Sequence, residues 1–268
     1  MRFKHINIIA LSVFTVDYYP THKLKRVGGN SANFAIECAR HGKQVSVLGA
    51  VGTDDKGSFI IEHLKNKGID TSHLYSLPGV SATNILLHDE NGDRYSPQNA
   101  WNGGVYQNFR LSPEDWEFVN TFDLLAVTAI DPNFSDIFEH IKPSVKLVVD
   151  FLHTADFPLL KKHISQINIA FFSGGPDLLS PAQKLAEEYN TLIVVTMGAE
   201  GSRAFWGTQN VQQPAPVVDK VVDTTGCGDV FQAAFSLSWF KHKDILLALK
   251  AGSEAASHII GFFGGSPP

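Results

Sequence analysis

Short apolar runs alternate with amphipathic stretches along most of this chain. Ile6–Leu11 is a continuous apolar run of strand length, and Val45–Val51 is another. Runs of this kind between turn signals read as strands buried on both faces. Between them, Ser31–Arg40 has apolar residues at helical spacing and stops at His41-Gly42. Gly52–Gly57 turns into a second helix, Ser58–Lys67, which ends at Gly68. Val13–Tyr19 and Leu24–Val27 read as shorter strands with Pro20 at their turn. The alternation then breaks. Ala82–His88 is apolar and β-rich, Glu90-Asn91-Gly92-Asp93 carries the Asn-Gly hairpin signal, and Arg94–Ser96 returns.

From a helix start at Ser112-Pro113-Glu114 the alternation resumes. Leu124–Thr128, Lys146–Val149, Ile167–Phe172 and Thr191–Thr196 read as strands. Phe134–His140, Phe157–Ser165 and Pro181–Tyr189 read as the helices between them. Ser202–Trp206 and Asn210–Gln213 read as a hairpin, and Asp229–Phe240 and Asp244–Ile260 as two closing helices. Alternation at this spacing predicts an α/β fold, a mostly parallel sheet with helices on both faces. No repeat, linker or low-complexity tract divides residues 1–268. The expectation is a single α/β domain, with a small β lid built from about 13–27 and 82–97.

Composition narrows the function. With 268 residues, 44% of them hydrophobic and 18% charged, the chain can bury one large core. A net charge of −5 without a basic stripe argues against nucleic acid as a partner. Cys38 and Cys227 alone make no disulfide framework and fit a reducing compartment. The basic start followed by Ile6–Val16 has the outline of a signal peptide. Against that, Asn7 interrupts the run, no small-residue cleavage site follows and Asp17 comes early, so a buried strand is the preferred reading. No run reaches membrane-spanning length. A cytoplasmic protein with no membrane partner is expected.

The stretch Val222-Asp223-Thr224-Thr225-Gly226-Cys227-Gly228-Asp229 carries the most chemistry. It reads as a tight loop opening a helix. Gly226 and Gly228 let backbone approach a ligand, and exposed amides at a helix N-terminus favour an anion. A carboxylate beside such a site, Asp229, can take a proton from a hydroxyl that attacks phosphorus. An N-cap loop with an aspartate balancing the helix dipole accounts for the same residues. A second Gly-Gly turn, Val27-Gly28-Gly29-Asn30-Ser31-Ala32-Asn33, opens another helix. Its two asparagines offer donors and acceptors to hydroxyls, and an asparagine N-cap is the equal alternative. Asp17 ends an apolar segment, either as a ligand carboxylate or as a solvated turn residue. Val195-Thr196-Met197-Gly198-Ala199-Glu200-Gly201-Ser202 is a glycine loop after a strand, or a plain strand–turn–strand. There is no G-x-x-x-x-G-K-[ST] loop and no G-x-G-x-x-G after the first strand.

These stretches, in this order from Ile6 to about Gly264, resemble the "DTxGxGD", "GGxxxN" and "TxGxxG" motifs of the ribokinase-like sugar kinases, the PfkB family. The resemblance implies a ribokinase-like α/β fold and transfer of the ATP γ-phosphoryl group to a sugar hydroxyl, with Mg2+. Asp229 would be the base, and the amides of Gly226, Cys227 and Gly228 would stabilise the transferring group. Asp17, Gly28, Gly29, Asn30 and Asn33 would line the acceptor site. Thr196, Gly198 and Gly201, with Gly226 and Gly228, would meet the nucleotide. Asp54, in the Gly52-x-Asp54-x-x-Gly57 spacing, reads as a helix cap. In many family members a potassium ion binds near the anion loop, and Asp223 and Thr225 match positions that contribute to it. Lids in this family often pair, which implies a homodimer.

Three departures are visible. Ser12-Val13 stands where Gly-Asp is common, and Cys227 where alanine is common. The magnesium-orienting "NxxE" is replaced by Phe172-Ser173-Gly174-Gly175-Pro176-Asp177, leaving Asp177 as the acid for that role. Within the family, "VDYYP…GGNSANFA" and "LLHDENGDR" are most similar to fructoselysine 6-kinases, also called fructosamine kinases, which phosphorylate sugar–amine adducts. Ribokinase, fructokinase, ketodeoxygluconate kinase and nucleoside kinase share the machinery. A catalytically silent sugar-sensing protein on the same fold is the alternative from another class.

Overall fold

A computed structural model describes residues 6–88 and 94–266. The chain opens with β1 (Asn7–Leu11), β2 (Thr15–Tyr19) and β3 (Leu24–Gly28), then α1 (Asn30–Arg40), β4 (Gln44–Gly52), α2 (Asp55–Asn66) and β5 (Asp70–Leu77). Next come β6 (Ala82–Ile85), β7 (Leu87–His88), β8 (Arg94–Tyr95) and α3 (Pro113–Val119). The alternating part is β9 (Leu124–Thr128), α4 (Phe134–His140), β10 (Lys146–Asp150), α5 (Phe157–His163), β11 (Ile169–Ser173), α6 (Leu179–Tyr189) and β12 (Leu192–Thr196). A hairpin of β13 (Ser202–Trp206) and β14 (Gln209–Gln213) and two helices, α7 (Cys227–His242) and α8 (Ile245–Ile259), follow.

The main sheet runs β14-β13-β12-β11-β10-β9-β1-β4-β5. Strands β12 to β5 in that order pair in parallel, and only the β12–β13–β14 ribbon is antiparallel. Its strands are apolar on both faces because both faces are covered. Alternate residues of β1 go to opposite sides. Ile8 and Ala10 join the core under α1, α7 and α8, while Ile9 and Leu11 join the one with Trp116, Phe134 and Leu160. Each such side chain taken fully out of water contributes about 1.5–3 kcal/mol. Helix α7 is buried nearly all round because it packs between α1 and α8. Among the described residues, no helix is long and apolar enough to cross a membrane.

A separate three-stranded sheet, β3-β2-β6, takes the two segments expected to form a lid. β2 pairs antiparallel with β3 and parallel with β6. β7 and β8 pair with each other, and the Asn-Gly turn expected at Glu90–Asp93 lies outside the described residues. Three expectations are corrected. β5 was not anticipated, because Asp70–Leu77 is a half-polar edge strand that buries only Thr71 and Leu74. Its pairing with β4 is irregular between Ser46 and Leu48. α6 begins at Leu179, two residues before the expected Pro181. α2 begins at Asp55 rather than Ser58, because Asp54 caps it, its carboxylate accepting the Gly57 N–H at 3.1 Å.

That cap also fastens the segment leading to β6. Asp54 accepts the Ser81 hydroxyl at 2.6 Å and the Ser81 N–H at 3.2 Å, and pairs with Lys56 at 2.9 Å. Partial burial pushes the Asp54 carboxyl up, but these donors outweigh it and hold it down at about 2. A carboxyl depressed in the folded state stabilises the fold above its unfolded pKa of about 4, and that contribution disappears as pH falls toward 2. Asp54→Ala should therefore cost roughly 1–2 kcal/mol at pH 7. The gap to wild type should close across that acid window. Urea unfolding at several pH values reads both, and a gap that ignores pH would reject the assignment.

Candidate active site

The carboxyl ends of parallel strands open into a cleft of about 970 Å³. In open α/β sheets this is where ligands bind. Asp150 ends β10, Ser173 ends β11 and Thr196 ends β12, and all three line it. The small sheet closes one side, contributing Thr15, Asp17 and Asn84. The anion loop and the first turn of α7 form the floor. On the far side, Pro216, Val217, Val221, Ala256 and Ile260 make an apolar wall beside the Gly198–Gly201 turn.

Asp229 sits in the first turn of α7, 8% exposed, where the helix dipole favours a carboxylate. Its Oδ1 accepts the Asn30 amide and its Oδ2 the Asn33 amide, each at 2.8 Å. Both donors come from the first turn of α1. The two glycine-opened helices therefore meet at one carboxylate. The meeting is tight. A Cβ on Gly226 would lie 2.9 Å from Asn33 Nδ2 and collide with the Gly265 backbone, and a Cβ on Gly265 would overlap the Asn33 amide. Gly226 also has φ 76°, a left-handed conformation. Of the three loop amides assigned to an anion, Cys227 N–H is already donated to Thr224 O at 3.3 Å. That leaves Gly226 and Gly228 as the amides facing the cleft. The Cys227 thiol turns to α8, donating to Ala256 O at 3.8 Å and packing against Val230, Ala234 and Ile259.

Asp17 is 4% exposed, and its Oδ1 accepts the Thr15 hydroxyl at 2.9 Å. Gly28, two pairs along β3, leaves the room: a Cβ there would collide with the Asp17 carboxylate. In register, Asp17 faces Asn84 on β6. Thr83 and Asn102 exchange backbone bonds at 2.8 and 2.9 Å, and Ile85 N–H donates to Ala100 O at 3.2 Å, which sets Asn84 opposite Trp101. Directly opposed residues share a face. Asp17, Asn84 and Trp101 thus form one row along the cleft, with Trp101 48% exposed into it.

The cleft brings together Asp17, Gly29, Asn30, Asn33 and Asp229 with Thr196, Gly198 and Gly201. It also includes Thr225, Gly226, Cys227 and Gly228. Gly28 stands behind Asp17. Asp223 is wholly buried beneath the loop. Asp177 does not join them: it is exposed in the 3-10 turn Pro176–Leu178 and does not line the cleft. Ser12 is absent from the lining too, since its hydroxyl is tied to Thr128 at 2.7 Å and Tyr106 at 3.2 Å. The cleft acid that sequence reasoning missed is Asp150. It accepts the Leu152 N–H at 2.8 Å and bonds Gln232 of α7. Burial pushes its carboxyl up, against the pull of those donors. An acid ending an apolar strand run was the available signal. Among the described residues lining the cleft there is no Lys, Arg or Glu.

The model of pfkB family carbohydrate kinases matches residues 6–142 and 168–268. The chain is 32% identical over 255 residues to fructoselysine 6-kinase of Escherichia coli (strain K12), an alignment covering 93% of this chain and 95% of that one. It is 27% identical over 265 residues to fructosamine kinase FrlD of Bacillus subtilis (strain 168), covering 97% and 92%. In fold it is similar to Arabidopsis thaliana ribokinase complexed with ribose and ATP, with a TM-score of 0.80 at 19% identity over 97% of this chain and 94% of that one.

The junction of α1, the anion loop and Gly265 can be tested without any ligand. Gly265→Ala forces the Asn33 amide or the loop aside, and overpacking of this kind costs roughly 1–3 kcal/mol. Gly261→Ala, four residues earlier, has open space at its Cβ and should stay within about 0.5 kcal/mol of wild type. Equal urea midpoints for the two variants would show that the junction is not close-packed.

Proposed function

The chain belongs to the pfkB family of carbohydrate kinases, and from that premise we propose that it transfers the γ-phosphoryl group of ATP to a hydroxyl of a sugar–amine adduct of the fructoselysine kind. The observation that carries the reaction is Asp229, held by Asn30 and Asn33 at the mouth of the anion loop. The sugar hydroxyl lies against it. Asp229 takes the hydroxyl proton as that oxygen attacks the γ-phosphorus, and the bond from phosphorus to the bridging oxygen breaks to release ADP. The Gly226 and Gly228 amides and the N-terminus of α7 receive the charge on the transferring group. Two amides fix the orientation of the Asp229 carboxylate, so little reorganisation is needed when the proton moves.

The apolar wall of Pro216, Val217, Val221, Ala256 and Ile260 suits a purine face, with Thr196, Gly198 and Gly201 along the phosphates. Among the described residues, no group of three or more His, Cys, Asp or Glu is arranged as a metal cage. A magnesium ion brought by the nucleotide would be held by Asp150, a buried carboxylate whose burial is not fully compensated, rather than by the exposed Asp177. Such an ion neutralises phosphate charge when bound. Lid closure by the β3-β2-β6 sheet excludes water from the reaction.

The acceptor class follows from charge. Asp17, Asp150 and Asp229 line the cleft with no Lys or Arg among its described residues, and Trp101 adds an aromatic face. A cationic amine attached to the sugar is stabilised there, by carboxylates and by the indole ring. A sugar acid such as ketodeoxygluconate meets repulsion. Neutral ribose, fructose and nucleosides gain nothing from the charge.

Asp229→Asn should keep the fold and nucleotide binding while kcat falls roughly 100-fold or more. Near-normal turnover by the folded variant would remove Asp229 as the base, and no ATP consumption by wild type with any acceptor would favour the silent sensor. In an acceptor panel with Mg·ATP, fructoselysine should give a kcat/KM at least about tenfold above fructose, ribose, adenosine and ketodeoxygluconate, equivalent to ~1.4 kcal/mol. Trp101→Ala should erase much of that preference. A preference for any uncharged sugar would overturn the acceptor assignment. A homodimer through the open edge of β3 belongs to the same proposal, and sedimentation velocity on the panel enzyme reads it directly.

A further inference from the structure

Asp223 is 0% exposed, yet it is an ionised carboxylate surrounded entirely by protein donors. Its Oδ1 accepts the Thr225 N–H at 2.9 Å, the Thr225 hydroxyl at 2.7 Å and His88 Nε2 at 3.3 Å. Its Oδ2 accepts the Tyr19 hydroxyl at 2.7 Å and the Gly264 N–H at 2.9 Å. A carboxylate offers about four lone-pair positions. Five donors from four separate segments fill them.

The surroundings are built to match. His88 stacks on Tyr19 with centroids 5.9 Å apart, and Phe263 packs edge-on against both at 5.6 and 5.4 Å. His22 closes the group, 4.3 Å from Phe263. These rings wall the carboxylate off from water. Burial pushes the Asp223 carboxyl up, but the donated hydrogen bonds outweigh burial and hold it below the ordinary range. Burial and the neighbouring Asp223 charge push the Tyr19 phenol far up, so its proton stays in the bond.

A monovalent cation at Asp223 and Thr225 needs oxygen lone pairs turned toward it. Here the hydrogens of Tyr19, Gly264 and Thr225 occupy that position, and they repel a cation. The neighbouring Ile260 carbonyl is spent as well, accepting the N–H groups of Val222 at 2.9 Å and Asp223 at 3.2 Å. The residues present do not fit the ion.

We propose that Tyr19 and His88 stand in for the monovalent cation. They are positioning residues that hold Asp223, and through it the anion loop Thr224–Gly228, in working shape without potassium. Tyr19 comes from β2 of the small sheet and His88 from β7, which follows β6. Tyr19 lies two residues beyond Asp17 on β2 and on the same face, so one strand holds the acceptor carboxylate and fixes the phosphate loop. Drawing β2 against the cleft and shaping the anion loop become one event.

The test has a binding arm and a kinetic arm, and only the kinetic arm rests on the kinase reading. In the first, 205Tl NMR follows thallium(I) acetate titrated into the wild-type protein. The expectation is no saturable site; a saturable site that Asp223→Asn abolishes overturns the proposal whether or not turnover is seen. In the second, transfer rates are compared in potassium, sodium and tetramethylammonium salts at equal ionic strength. Wild type should vary by less than about twofold. His88→Ala and Tyr19→Phe, which each remove one donor, should lose roughly tenfold or more in kcat with a smaller change in the KM for ATP. In His88→Ala, potassium should restore part of the loss, a response that damage to packing alone would not give. Saturable activation of wild type by potassium, or a His88→Ala enzyme that folds, is slowed and ignores potassium, counts against the idea.

Discussion

Everything in the cleft depends on one buried amide. Asn33 reaches from the first turn of α1 to Asp229 in the first turn of α7, and it fits only because Gly226 and Gly265 lack side chains. A carboxylate 8% exposed needs donors, since an unpaired buried charge is driven to neutralise. Asn33 and Asn30 supply them without adding charge of their own. A lysine in place of Asn30 would neutralise Asp229 and weaken it as a proton acceptor. The neutral pair aims it without adding a countercharge. The oxygen of the Asn33 amide is buried with no hydrogen-bond partner among the described residues, so the side chain is placed by the bond from its Nδ2 to Asp229 and by packing.

The second organising element is β2. Its residues Thr15, Asp17 and Tyr19 point the same way; the first two line the cleft, and Tyr19 is wholly buried against Asp223. Thr15 orients Asp17, Asp17 faces Asn84, and Tyr19 reaches Asp223 under the Thr224–Gly228 loop. The strand is held on one side by β3, where Gly28 makes room for the Asp17 carboxylate, and on the other by β6, which brings Asn84 and, through its backbone bonds, Trp101. The Asp17–Asn84–Trp101 row and the Thr224–Gly228 loop are thus not independent modules. A lining with three aspartates and one histidine but no lysine or arginine among the described residues has its own logic. In the proposed reaction, backbone dipoles rather than lysine or arginine would meet the phosphate charge, which would leave the Asp17 side of the cleft negative.

Much of the fold was legible because the parallel strands are covered on both faces and so read as unbroken apolar runs. β1, β4 and β9–β12 were placed to within two or three residues for that reason. β5 escaped because an edge strand covered by only a few side chains has no such run. The glycine motifs were legible because each packs its chemistry into eight or fewer consecutive residues. Asp150, Asn84, Trp101, Tyr19 and His88 were not, because their relevance arises from register between segments far apart in the chain. Tyr19 and Asp223 are separated by 204 positions. Asp177 shows the converse error: local position suggested a role that the 3-10 turn, by pointing it into solvent, does not support.

Synthesis order gives these separations a further meaning. Asn30 and Asp229 are 199 residues apart, and Asp223 is braced by Gly264, 41 residues later still. Chains are made and begin to fold from the N-terminal side. The segment containing β1 to β5 can emerge and pack while Asn30 and Asn33 await their acceptor, and Asp223 lacks its Gly264 bond until that residue leaves the ribosome. No nascent chain short of that point has the Thr224–Gly228 loop fully braced. The cleft is therefore complete only in a nearly finished polypeptide, and a ligand that fits it selects finished molecules from unfinished ones.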